Sequence, residues 1–184
     1  RQPGHLIKGK FDQFQRNIPF SSWVQSFQNL MRQLLAETTA EVQKWQAKIL
    51  KVLGENAQVI IDVIPELEHL IGPQSKFQEL EGIAAQNRFN LLFGKFIGVF
   101  ATIEHPLVIF LDDLQLADSA SLKLMQLLVS ETDTRYLLLL GAYRDNEVFG
   151  THPLILAFAE IRKKSLPFNQ ITLAPLAKPA INPR

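Results

Sequence analysis

Cysteine is absent from the 184 residues. Disulfide bridges, thiol nucleophiles and cysteine-ligated zinc are therefore excluded, and a reducing compartment fits. A dominant charge is missing too: 19 basic residues face 18 acidic ones, a net +1. That balance gives no wholesale attraction to nucleic acid or to an anionic membrane surface. No apolar run approaches the roughly 18 residues that a membrane span needs; the longest, Tyr136 to Tyr143, includes Gly141. A basic-then-apolar secretion signal is lacking at the N-terminus. The first residue is Arg1 rather than Met, so the chain reads as a piece of a longer protein. His5, His69, His105 and His152 show no metal-ligand spacing, and no Gly-x-Ser-x-Gly elbow is present.

What remains is ordinary globular material, 47% hydrophobic and 20% charged, in an amount that suits about one domain. Leu6 and Ile7, with Gly4 and Gly9 around them, read as a short strand. Phe20, Trp23, Val24, Phe27, Leu30, Met31, Leu34 and Leu35 then repeat at helical spacing for four turns. Thr38 and Glu41 form a capping pattern for a helix over 40–53 with Gly54 as its stop. Val59 to Leu70 is helical with a break at Pro65, and 72–82 reads as a loop. Phe89, Leu92, Phe93, Phe96, Ile97 and Phe100 form a stripe that predicts a core-facing helix rather than an aromatic ligand box.

Leu107 to Leu111 and Tyr136 to Ala142 are continuous apolar runs, the pattern of strands buried on both faces of a parallel sheet. Between them Asp118 or Ser119 caps a helix carrying Leu122, Met125 and Leu128. Pro153 opens another helix that closes on Arg162, Lys163 and Lys164. Ile171 to Leu173 reads as a final strand, followed by a proline-containing tail over 177–184. Strands alternating with helices predict an α/β fold built on a mainly parallel sheet. The helices from residue 20 to 71 form an insertion between the first two strands.

Ligands of open parallel sheets sit beyond the carboxyl ends of the strands. The first long apolar run ends there in Asp112-Asp113. Paired carboxylates after a buried strand need a cation or donors. Magnesium beside a phosphate chain is one such partner: one acid holds the metal and the other orients or deprotonates the attacking water. A solvated strand end and a helix-capping acid are the alternatives. Because successive strand residues point oppositely, two useful acids in a row require a turn at Asp113. Arg144 follows the next apolar run and could reach a terminal phosphate, or it could pair with Asp145, Glu147 or another local acid. Lys44, Lys48 and Lys51 share one helix face, which reads as solvated.

A phosphate-binding loop needs Gly-x-x-x-x-Gly-Lys and a Ser or Thr between a strand and a helix. Gly4 to Lys10 matches the first seven positions, but Phe11 follows and no strand precedes, so the match reads as coincidence. Gly94-Lys95 lies within the Phe-rich helix and lacks both the upstream glycine and the hydroxyl.

Taken together, several stretches resemble the AAA-like, STAND-type ATPase domain of large bacterial multi-sensor signalling kinases. They are Gly9-Lys10-Phe11-Asp12-Gln13-Phe14, Arg16-Asn17-Ile18-Pro19-Phe20-Ser21, 59–66 and 86–90, and then Val108-Ile109-Phe110-Leu111-Asp112-Asp113-Leu114-Gln115, 117–122, Gly141-Ala142-Tyr143-Arg144-Asp145-Asn146-Glu147 and 171–176. Leu116 stands where that family commonly has Trp. The resemblance implies an incomplete P-loop NTPase-like sheet over 1–176, with the P-loop strand and helix expected upstream of Arg1. It implies ATP and Mg2+ as ligands of the intact domain, Asp112 as the Walker B magnesium acid, Asp113 as the water-activating acid and Arg144 at the sensor position. The implied partners are nucleotide and the neighbouring kinase and sensor domains of a cytoplasmic polypeptide. Nucleic acid and a membrane span are not expected; oligomerisation is left open. The 184 residues alone are expected to grip ATP poorly. If the P-loop strand is absent, Leu137–Leu140 and Ile171–Leu173 would be left with unpaired edges. The competing reading is a non-catalytic regulatory or scaffold module derived from such an ATPase. A third, a self-contained metal-dependent hydrolase, lacks the further ligands such a site needs.

Overall fold

The computed structural model describes residues 4–15, 18–75, 81–130, 135–164 and 167–174. Arg16 and Asn17, the middle of the 72–82 loop and the tail after residue 174 lie outside the described residues.

Among the described residues three parallel strands make the sheet: β1 (His5–Lys10), β2 (Leu107–Asp112) and β3 (Leu137–Gly141), in the order β1-β2-β3. Register runs from His5 opposite Leu107 to Lys10 opposite Asp112, and from Leu107 opposite Leu137 to Leu111 opposite Gly141. Among the described residues five α-helices stand between β1 and β2: α1 (Ser21–Leu35), α2 (Thr39–Leu53), α3 (Ala57–Ile61), α4 (Glu66–Ile71) and α5 (Gly82–Phe100). A sixth, α6 (Ser119–Ser130), joins β2 to β3, and α7 (Pro153–Lys163) follows β3. The fold is the α/β architecture expected, a parallel sheet flanked by helices with a helical insertion between the first two strands.

Local chemistry places these elements where the periodicity put them. Thr38 caps α2 by accepting from the Glu41 amide at 3.4 Å, and Gly54 ends it at φ 52°. Pro65 separates α3 from α4. Asp118 Oδ1 accepts from the Ser121 amide at 2.8 Å, which makes Asp118 the cap of α6. The Phe stripe of α5 is core: Phe93, Phe96 and Phe100 are fully buried, and Phe93 meets Phe27 of α1 edge-on at 5.3 Å. Helix α1 lies against β1 so closely that a Cβ on Gly9 would collide with the Ser22 carbonyl oxygen and Ser26 Oγ.

Three expectations are corrected. The central strand is closed on one face only: Leu107, Ile109 and Leu111 are buried, while Val108, Phe110 and Asp112 are half-covered. β3 is not a buried strand. Leu138 is 52% exposed and Leu140 42%, because β3 lies at the edge of the sheet and its second face carries no covering layer among the described residues. Ile171 to Leu173 forms no strand. Its side chains at 171 and 173 are almost fully exposed, and no strand lies alongside it among the described residues to complete a hydrogen-bond ladder.

Candidate functional site

The carboxyl ends of all three strands open on one cleft of about 510 Å³, lined among others by Lys10, Gln25, Asp113, Gln115, Arg144 and Glu147. The near-match to a phosphate loop is resolved here: His5 to Lys10 is strand β1 itself, not a loop between a strand and a helix. Register then carries Lys10 to the end of β2, directly opposite Asp112.

The turn that the acid pair requires is present. Asp113 adopts φ 52°, a left-handed conformation that Asp tolerates better than most residues. Asp112 Oδ1 accepts from the Asp113 amide at 2.9 Å and holds that bend. A 3₁₀ turn over Leu114–Leu116 follows, and the Leu114 amide donates to the Ala142 carbonyl at 2.9 Å. The ends of β2 and β3 are thereby tied together, with the Leu114 side chain seated over Gly141, where a Cβ would collide with it.

Asp113 is the centre of the cluster. It is 8% exposed, and each of its oxygens has partners. Oδ2 lies 3.1 Å from Lys10 Nζ; Oδ1 accepts from Gln115 Nε2 at 3.0 Å and lies 3.6 Å from Arg144 Nε. These partners hold the Asp113 carboxyl below the usual carboxylate range: the Gln115 hydrogen bond first, opposed by burial, then Lys10 and the Arg144 charge. Arg144 also pairs with Glu147 through Nη1 at 2.8 Å, so the local ion pair and the contact with the distant acid coexist. Asp112 is more open; its Oδ2 is 4.0 Å from Lys10 Nζ, and its side chain is 41% exposed. The Lys10 amide donates to Gln25 Oε1 at 3.2 Å, which anchors the end of β1 to α1.

The structure thus brings Asp113 and Arg144 together at the cleft and leaves Asp112 at its margin. Gln115 and Gln25 are members that residue types and spacing did not single out. Lys10 stood in the sequence only as the lysine of a near-match set aside as coincidence, and strand register is what brings it to the acid pair; Gln115 was visible as a polar residue after the acid pair, but its burial was not. Two adjacent carboxylates supply hard oxygen donors of the kind magnesium takes alongside phosphate oxygens and water. Among the described residues no group of three or more His, Asp or Glu side chains is placed to hold a metal by itself. The donor set fits a cation shared with a phosphate chain. Among the described residues no helix is long and apolar enough to cross a membrane.

The sequence model of the AAA ATPase domain matches residues 1–140. Hybrid signal transduction histidine kinase G of Dictyostelium discoideum is 40% identical over 124 residues, which cover 67% of this chain and 4% of that protein. The chain accordingly spans only a small part of the length of the curated relative it matches. No solved structure matches it. The family match extends from the start of the chain through all but the last residue of β3, and so takes in the acid pair and Lys10; on that ground the chain belongs to the AAA ATPase domain family.

Proposed function

We propose that the chain is part of an ATP-binding and hydrolysing switch, of the STAND type, within a multi-domain signalling kinase. The observation that carries this reading is the Lys10–Asp113–Arg144 cluster, three charged groups from three strand ends meeting at one cleft. In this proposal Asp112 holds Mg2+, Asp113 orients or deprotonates the attacking water, and Arg144 and Lys10 face the terminal phosphate. When bound, the magnesium would neutralise phosphate charge; the work of this chain is to direct the Asp113 carboxylate and to keep cations beside it. The phosphate grip itself would come from sequence outside these 184 residues. Histidine and Ser/Thr kinase domains as covalent neighbours, and a cytoplasmic setting, belong to the same proposal; the histidine kinase relative supports the first.

A non-catalytic module is the second reading, favoured by the lack of a phosphate loop in these residues. One experiment separates the two. In the full polypeptide, Asp113→Asn is expected to lower ATP hydrolysis by about 10²- to 10⁴-fold, the usual yield of a positioned general base, while nucleotide affinity persists. Equal loss of binding and hydrolysis would remove the water-activating role, and hydrolysis unchanged by the substitution would leave the scaffold reading.

A further inference from the structure

We infer that Gln115 is a positioning residue that couples the Asp113 carboxylate to the backbone of Arg144, so that the end of β3 sets the direction of the acid at the end of β2. The inference rests on the ATPase reading above for its consequence, but its geometry stands on its own.

Both heads of the Gln115 amide are in use, and they reach in different directions along the chain. Nε2 donates to Asp113 Oδ1 at 3.0 Å, two residues back. Oε1 accepts from the Arg144 amide at 3.3 Å, 29 residues on. The side chain is 3% exposed, so water cannot stand in for either partner. Its orientation is forced. Turned over, the amide would set its NH2 against the Arg144 N–H and its oxygen against a carboxylate.

That arrangement gives the two oxygens of Asp113 different tasks. Oδ1 is tethered, by Gln115 and by the Arg144 guanidinium at 3.6 Å. Oδ2 is left toward Lys10, 3.1 Å away. A carboxylate on a residue with φ 52° has little backbone support from regular structure, and the tether replaces it. Arg144 touches the acid through its side chain and touches the acid's tether through its backbone. A displacement of the β3 end that carries the guanidinium therefore pulls on Oδ1 by two routes. Glutamine suits both bonds: Glu keeps an acceptor and loses the donor, Met keeps the length and loses both, and Asn is one methylene short.

The test uses hydrogen exchange of the Arg144 amide in this chain, together with steady-state hydrolysis in the full polypeptide. In the wild-type chain the Arg144 amide is expected to exchange slowly, and in Gln115→Met, which loses the acceptor, at the rate of an open amide. In Gln115→Glu the acceptor remains and the donor to Asp113 is lost, so the Arg144 amide should stay protected. In the full polypeptide Gln115→Met should reduce kcat by about 10- to 100-fold, as loss of an orienting partner does, with KM nearly unchanged. An Arg144 amide equally protected in a Gln115→Met variant whose amide spectrum shows the native fold overturns the inference, as does an unchanged kcat in a polypeptide whose hydrolysis needs Asp113. If the variants do not fold, exchange of the Arg144 amide in the wild-type chain decides: slow exchange supports the buried bond to Gln115, and exchange at the rate of an open amide overturns it. Failure of the ATPase reading looks different, since hydrolysis would then be insensitive to Asp113→Asn while the Arg144 amide still lost its protection in Gln115→Met.

Discussion

The two ends of the β1–β2 pair are built from opposite materials. At the carboxyl end Lys10 stands across from Asp112 and reaches Asp113, and the charged side chains Lys10 and Arg144 stay more than half exposed. At the amino end His5 stacks on His105 at 5.7 Å, and both rings meet Trp45 of α2 at 5.7 and 5.5 Å. Trp45 is 4% exposed, packs on Phe100, donates to Glu37 Oε2 at 3.3 Å and carries Lys48 over its face. One end keeps its cations wet around a buried carboxylate. The other closes the sheet with rings, and its titratable members are partly removed from water. The difference teaches where stability and chemistry separate in this fold: exposed ion pairs contribute little to stability and much to a local field, while buried rings do the reverse.

Truncating the amino end should break the comparison most severely. Trp45→Ala removes a buried indole and its contacts with His5, His105 and Phe100, and is expected to cost about 3–5 kcal/mol. Urea unfolding measures it, and in the fraction still folded the Asp113 titration should be unaltered, because the site lies at the far end of the strands.

Acid should then act on the same end more gently. His5 is held below the ordinary imidazole range by burial first and by the neighbouring His105, against the pull of Glu37. A base whose folded pKa is depressed binds protons more readily when unfolded. Its contribution to stability is therefore complete above the ordinary imidazole value and is lost as the pH falls through it toward the folded value. Glu37, Glu41, Glu104, Lys44, Lys48 and His105 are the other ionisable groups in the cluster or on the segments flanking it. Glu41 and Glu104 are themselves held low, by Lys44 and by hydrogen bonds in the 102–105 turn, so their loss of stability falls at more acid pH. Melting temperature is expected to drop between neutral pH and about pH 5, and His5→Gln should flatten that slope. A slope that survives the substitution would assign it to other groups.

The smallest effect on stability belongs to the carboxyl end. Lys10→Met removes an exposed partner and should change the unfolding free energy by about 0–1 kcal/mol. It should nevertheless raise the Asp113 midpoint, since Lys10 is one of the groups that holds it down. The sign follows from the depressed carboxyl: its contribution is present above the ordinary Asp value and disappears as the pH falls through it. A large stability loss with an unmoved Asp113 would reverse the contrast between the two ends.

Much of this molecule is written locally. The Phe stripe of α5, the Thr38 cap, the break at Pro65 and the acid pair after an apolar run all follow from periodicity or from the chemistry of a few neighbouring residues. So does the expectation of a turn at Asp113. The misread segments share a cause. Leu137 to Leu140 and Ile171 to Leu173 have strand composition, yet burial and pairing depend on which elements come to lie beside them, and apolar composition alone carries no such information.

The candidate site divides along the same line. Asp112, Asp113 and Arg144 stand out as residue types at strand ends, positions that the chain order alone supplies. Lys10 enters only because parallel pairing sets it opposite Asp112, roughly a hundred residues away in the chain. Gln115 enters only because the β3 end comes close enough to hand it the Arg144 amide. Short-range rules determine which residues are helical, capped or bent, since the forces involved act within a turn or two. Which charges meet is decided by strand register and helix packing. Those are contacts between residues far apart in the chain, and no rule acting within a turn or two supplies them.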